Sequence, residues 1–102
     1  MKEQTDTHIG QIVRILRGKD TGQVAVILSK ADNKFVYIAD GDKRKFDQAK
    51  KKNLLHLEPQ PFISSEVVDS LIESGRVTNG KLRHAVMKFN ESTAIHAEEK
   101  GD

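Results

Sequence analysis

Six basic residues fall within ten positions, as Lys43-Arg44-Lys45 and Lys50-Lys51-Lys52. Clustered charge of this kind suits neutralising a polyanion. Lysine ammonium groups on flexible stems pair with phosphates without reading sequence, whereas the planar guanidinium of Arg44 or Arg17 can fork onto a phosphate or a base edge. A lysine-rich strand edge also blocks strand-to-strand aggregation, and that role could account for the cluster without any ligand. Nearer the start, Arg17-Gly18-Lys19 joins charge to a backbone without side-chain bulk, which permits close approach to such a ligand. Gly22 closes the same turn, and a tight hairpin needs a glycine there whatever it binds.

Other chemistries find little support. His8, His56, His84 and His96 lack the paired or i, i+4 spacing that brings metal ligands together on a helix. Asp40 and Asp42 flank Gly41 as turn residues do, with no general-acid role in view. Ser64 and Ser65 read as helix caps, and no glycine-rich loop leads into a helix to cradle phosphates. The expectation is a binding protein without catalysis, cofactor or metal. Tyr37 can either stack on an unpaired base or, as tyrosines in strands more often do, pack with its hydroxyl at the rim.

The charge is unevenly spread. Net charge is +2 overall, yet residues 9–57 carry 11 Lys and Arg against 5 Asp, while residues 58–102 carry 5 against 8 acidic residues. A basic half beside an acidic half points to a polyanion-facing module joined to a segment with another task. With 102 residues the chain holds one small domain, and the lack of cysteine excludes disulfides and thiolate metal sites and fits a reducing compartment. No stretch approaches the roughly 20 apolar residues of a membrane span, and the first eight residues lack the apolar run of a signal peptide. A cytoplasmic protein is the expectation.

The elements that must position these residues can be read from periodicity. Gly10 to Leu28 gives two apolar strands joined by a turn between Gly18 and Gly22. Alternation places Val13 and Ile15 inward, with Val24 and Val26 repeating the pattern and Val36 and Ile38 adding a third pair. Ile12 lies on the opposite face, so part of that face must be covered too. Phe35, Phe46, Phe62 and Phe89 are expected in the core. Three or four short strands in about 50 residues form a small, bent sheet, and closing it into an SH3-like β-barrel would hide its edges. Pro59 and Pro61 mark a boundary. Beyond it Ser64 or Ser65 caps a helix striped by Val67, Val68, Leu71 and Ile72 and stopped at Gly75; Thr78 or Asn79 caps a second, striped by Leu82, Ala85, Val86 and Phe89.

Gly10, Val13, Ile15, Gly18, Lys19, Gly22, Val24 and Val26 together resemble the KOW motif of ribosomal proteins and transcription elongation factors. The run that follows, Phe35 to Ala39, Asp40-Gly41-Asp42, the basic cluster and His56-Leu57, is similar to the ribosomal protein L-fourteen-e family and its small bacterial KOW relatives. The resemblance covers about residues 8 to 58. It implies RNA binding, with ribosomal RNA as the partner.

The expected architecture is mostly β with C-terminal α: a flexible start at 1–8, a KOW-type SH3-like barrel at 9–58, a two-helix extension at 59–96 and a disordered tail at 97–102. The expected RNA-binding residues are Arg17, Gly18, Lys19, Gly22, Lys43, Arg44, Lys45, Lys50, Lys51 and Lys52. The competing expectation is a protein-interaction module that docks on a ribosomal or transcription complex through its helices, favoured if the stripe of Val67, Leu71 and Ile72 is left exposed.

Overall fold

The computed structural model describes the backbone of residues 7–101 and the side chains of residues 7–93. Five strands run as β1 (Gln11–Ile15), β2 (Val24–Lys30), β3 (Phe35–Ala39), β4 (Lys50–Asn53) and β5 (Leu57–Ile63), followed by α1 (Ser65–Ser74) and α2 (Asn79–Gly101). The chain is mostly β with two C-terminal helices. All neighbours in the sheet are antiparallel, in the order β4-β3-β2-β1-β5.

β4 and β5 are the two edges of this sheet, yet only Leu54–His56 separates them in sequence, as one turn of 3-10 helix. Laid flat, four inter-strand steps would part the edges by roughly 19 Å, at about 4.8 Å each. Three 3-10 residues rise only about 6 Å. The sheet must therefore curl until its edges approach at this corner; the Leu16 amide, donating to the His56 carbonyl at 2.8 Å, extends the β1–β5 pairing up to it. No strand ladder joins β4 to β5, so the curled sheet stays open.

Burial follows from the curl. On the concave side Val13, Ile15, Ala25, Ile27, Val36, Ile38 and Leu57 form one cluster with no helical residue in it. The other face is covered by the helices: Ile12, Val26, Leu28 and Ala39 pack with Val67, Val77, Leu82, Ala85 and Phe89. The stripe at Leu82, Ala85 and Phe89 is thus core, with the rings of Phe62 and Phe89 meeting edge to face at 5.9 Å. Val67 is fully buried and Leu71 packs against the same cluster, while Ile72 is 77% exposed.

Three expectations change. Val13 pairs with Ala25, so Ala25 and Ile27 share its face, and Val24 and Val26 lie under the helices with Ile12. A strand buried on both faces has no polar alternation to set its phase, and a one-residue shift reverses every side chain. Phe35 lies outside both core clusters, half-buried beneath the Lys51 ammonium, which sits 5.1 Å from its ring centre. Pro59 and Pro61 do not interrupt the sheet but lie within β5, where Pro59 faces Val13. An edge strand is the place where a sheet accepts residues without an N–H.

The helix ends form as their residues dictate. The Ser64 hydroxyl accepts from the Val67 amide at 3.3 Å, and Gly75, at φ 76°, ends α1 by donating to the Leu71 carbonyl. Thr78 caps α2 by accepting from the Lys81 amide at 3.1 Å. Asn79 does something else: its side-chain oxygen accepts from the Phe46 amide at 2.7 Å, fastening the segment after the first basic cluster to the helix. At the other end, the buried Gln11 accepts from the His8 amide and donates to the Gln60 carbonyl, both at 2.9 Å, where the register of β1 and β5 slips. Thr7, within the start expected to be flexible, is buried as well. Residues 1–6 and 102 lie outside the described residues, as do the side chains of the expected tail at 97–101.

Candidate nucleic-acid interface

The turn between β1 and β2 is shaped by two glycines. Gly18 has φ 103° and Gly22 φ 92°, a region that side-chain-bearing residues seldom occupy. The Gly22 amide donates to the Ile15 carbonyl at 2.7 Å and the Thr21 hydroxyl to the Gly18 carbonyl at 2.6 Å. A Cβ on Gly22 would meet nothing within 4 Å, so conformation alone requires glycine there. A Cβ on Gly18 would stand 2.9 Å from Lys52 Nζ, the movable end of a flexible side chain, so there too the positive φ is the main requirement for glycine.

The first basic cluster sits in a loop, not a strand. One carboxylate oxygen of Asp40 accepts from the amides of Asp42 at 2.9 Å and Arg44 at 2.8 Å, winding Gly41 to Arg44 into a tight turn. α2 holds that turn from below: Arg83 donates to the Gly41 carbonyl at 2.8 Å. Gly41, at φ 82°, lies so close to the helix that a Cβ would collide with the Asn79 carbonyl and the side chain of Leu82. Lys43 and Lys45 are exposed on this loop.

The second cluster alternates along β4. Lys50 pairs with Ile38 and Lys52 with Val36, both residues of the concave cluster, whereas Lys51 pairs with Tyr37 on the reverse face. Alternation therefore divides the three lysines. Lys52 reaches across the curl to donate to the Arg17 carbonyl at 3.1 Å, and Arg44 lies 3.9 Å from Asp20 in the first turn. Asp20, Lys43, Arg44, Lys50 and Lys52 line one narrow cleft.

Three segments distant in sequence thus share one corner. Arg17, Gly18, Lys19 and Gly22 come from the first turn, Lys43 and Arg44 from the second, and Lys50 and Lys52 from the edge strand, with Lys45 at the loop's end. Lys51 faces away, over Phe35 and beside the half-buried Tyr37. Sequence reasoning missed Arg14 and Arg83. Arg14 emerges on the helix-covered face, donating to the Gly22 carbonyl at 3.2 Å and lying 4.0 Å from Glu58. Arg83 sits in the acidic half of the chain, where charge counting conceals it.

Among the described residues, no three His, Asp or Glu are grouped to hold a metal ion, and no helix is long and apolar enough to cross a membrane. Asp32, in the β2–β3 turn, accepts from the amides of Lys34 at 2.8 Å and Phe35 at 2.9 Å. Those two bonds, with smaller help from the charges of Lys51 and Lys34, hold its pKa below the ordinary 3.8.

No protein-family model matches the chain. Among curated proteins it is similar to one from Bacillus subtilis (strain 168) named "Putative ribosome-binding protein YbzG", with 52% identity over 44 residues. The match covers 43% of this chain and 60% of that relative's length.

Proposed function

We propose that this chain is a cytoplasmic, ribosome-associated RNA-binding module of the KOW type, with the curled sheet as an SH3-like barrel, and that it docks on structured ribosomal RNA through its basic corner. It acts by binding, without catalysis or cofactor. The observation that carries the reading is the convergence at that corner: Lys52 held on Arg17 and Arg44 beside Asp20. These contacts gather three basic segments into a surface that could follow a phosphate backbone. The name of the partial relative supports the ribosome as the partner.

Each contributor has a distinct role. Gly18 and Gly22 shape the turn, Arg17 and Lys19 meet phosphates from its tip, and Lys43, Arg44, Lys45, Lys50 and Lys52 extend the phosphate-facing strip. Lys51 belongs to the reverse face and is not part of it. The alternative docking surface, the stripe of Val67, Leu71 and Ile72, is divided: Val67 is buried and Leu71 packs against the core, which leaves Ile72 exposed.

The test is to sediment cell extract containing the tagged full chain through a sucrose gradient at rising salt. Travel with a ribosomal subunit at low salt and release at high salt is the expected result. Migration at the top of the gradient at every salt concentration would overturn the ribosomal assignment.

A further inference from the structure

A groove of about 770 Å³ runs between the end of the β1–β2 hairpin and α2, within the range of roughly 300–1,000 Å³ typical of small-molecule sites. Its floor is apolar. Val24 and Val86 are half-buried against the core, and Met87 is 47% exposed, offering an adaptable thioether chain. Its rim carries both signs: Arg14 from β1, Lys43 from the Asp40–Lys45 loop and Arg83 from α2 stand with the carboxylates of Asp40, Asp42 and Glu91. Gly22 and Lys43 line both this groove and the basic corner, so a strand lying across the corner runs directly into it.

We propose that the groove holds one unpaired nucleotide of the bound RNA, its base against Val24, Val86 and Met87 and its flanking phosphates on Arg14, Lys43 and Arg83. This rests on the RNA-binding reading above and adds the class of RNA: one with a bulged or single-stranded nucleotide, in preference to a uniform duplex. An apolar floor flanked by cations on one side and by polar and acidic groups on the other suits a nucleotide, which joins anionic phosphates to a flat base with a polar edge. Gln23 and Asn90 also line the groove and present both donors and acceptors, as a base edge requires. The carboxylates of Asp42 and Glu91 in the same lining can accept from the amino group of a base. Asp40 is already engaged by two backbone amides. With the base here and Lys43 shared between groove and strip, the remaining cations of the strip can hold neighbouring paired nucleotides.

The experiment titrates the full chain with two RNA hairpins alike except for one bulged nucleotide, using the natural protein, Met87→Ser and Asn90→Ala. Both positions are exposed, and neither belongs to the phosphate strip. The natural protein is expected to favour the bulged hairpin by about tenfold, and Met87→Ser to reduce the preference to about twofold or less, with duplex affinity and its salt dependence unchanged. Asn90→Ala is expected to weaken bulge binding alone. Equal affinity of the natural protein for both hairpins, or a preference that survives in both variants, would overturn the inference and leave the RNA-binding reading intact. Absence of binding to either hairpin at low salt would sink that reading and this inference with it. Displacement of the bulged RNA by a glutamate-rich peptide at equal concentration would assign the groove to a protein and overturn the inference as well.

Discussion

Lys52 Nζ donates to the carbonyl oxygen of Arg17 at 3.1 Å, joining one edge strand of the sheet to the turn that follows β1. In a flat sheet two strands would stand between them. The bond exists because the sheet curls, and it brings the cation of Lys52 to the turn whose tip carries Arg17 and Lys19.

Charge reversal tests this corner. Changing Lys43, Arg44 and Lys45 to glutamate should leave folding nearly intact, since exposed substitutions usually move stability by about 0.5 kcal/mol or less each. RNA affinity should fall, and its salt dependence should flatten. If the natural protein neutralises about four to six phosphates, a fourfold rise in salt should weaken binding by roughly 100-fold or more. Lys51→Glu, on the reverse face, should have much the smaller effect; paired salt titrations of the two variants check both statements.

The two glycines of the first turn should respond differently. Gly22→Val strains the backbone at φ 92° but meets open space, so a loss of about 1–3 kcal/mol is expected. Gly18→Val suffers the same strain and in addition pushes Lys52 from the Arg17 carbonyl. Thermal unfolding should show both losses, and RNA titration an extra defect in Gly18→Val. Equal binding by the two variants would remove the role assigned to the Lys52 contact.

A chain ending at Glu58 should not fold cooperatively. It lacks Pro59 to Ile63 of β5 and every helical residue covering Ile12, Val26, Leu28 and Ala39. Circular dichroism during heating distinguishes the outcomes, and a sharp transition would show that the sheet stands without its helices. In the full chain, Leu82→Ala should cost about 2–5 kcal/mol, because Leu82 is fully buried between α2 and the sheet.

The Asp32 carboxylate should make the β2–β3 turn sensitive to acid. Its pKa is depressed in the fold, so its contribution is present above the unfolded value and is lost as pH falls through the folded one. Asp32→Ala should therefore lower stability at neutral pH, with the difference from the natural protein shrinking as pH drops below about 4. Urea unfolding of both proteins at a series of pH values measures this.

The sequence by itself determined the features that depend on neighbours along the chain. The hairpin between Gly18 and Gly22, the Asp40 turn, the Ser64 cap and the Gly75 stop follow from local conformational preference and hydrogen bonding. The stripe of Leu82, Ala85 and Phe89 follows from helical period. Tertiary structure alone decided what depends on register and curl. Alternation could not say which face of β2 meets the helices, because both are buried, and the proline pair looked like a boundary because their tolerance in an edge strand depends on which strands flank it. The candidate site divides in the same way. Ten basic and glycine positions were legible as types, but the edge-to-edge curl brings Lys52 to Arg17 while the pleat of β4 sends Lys51 to the other face. Arg14 and Arg83 join the groove only because α2 packs across the hairpin, a juxtaposition that no spacing along the chain encodes.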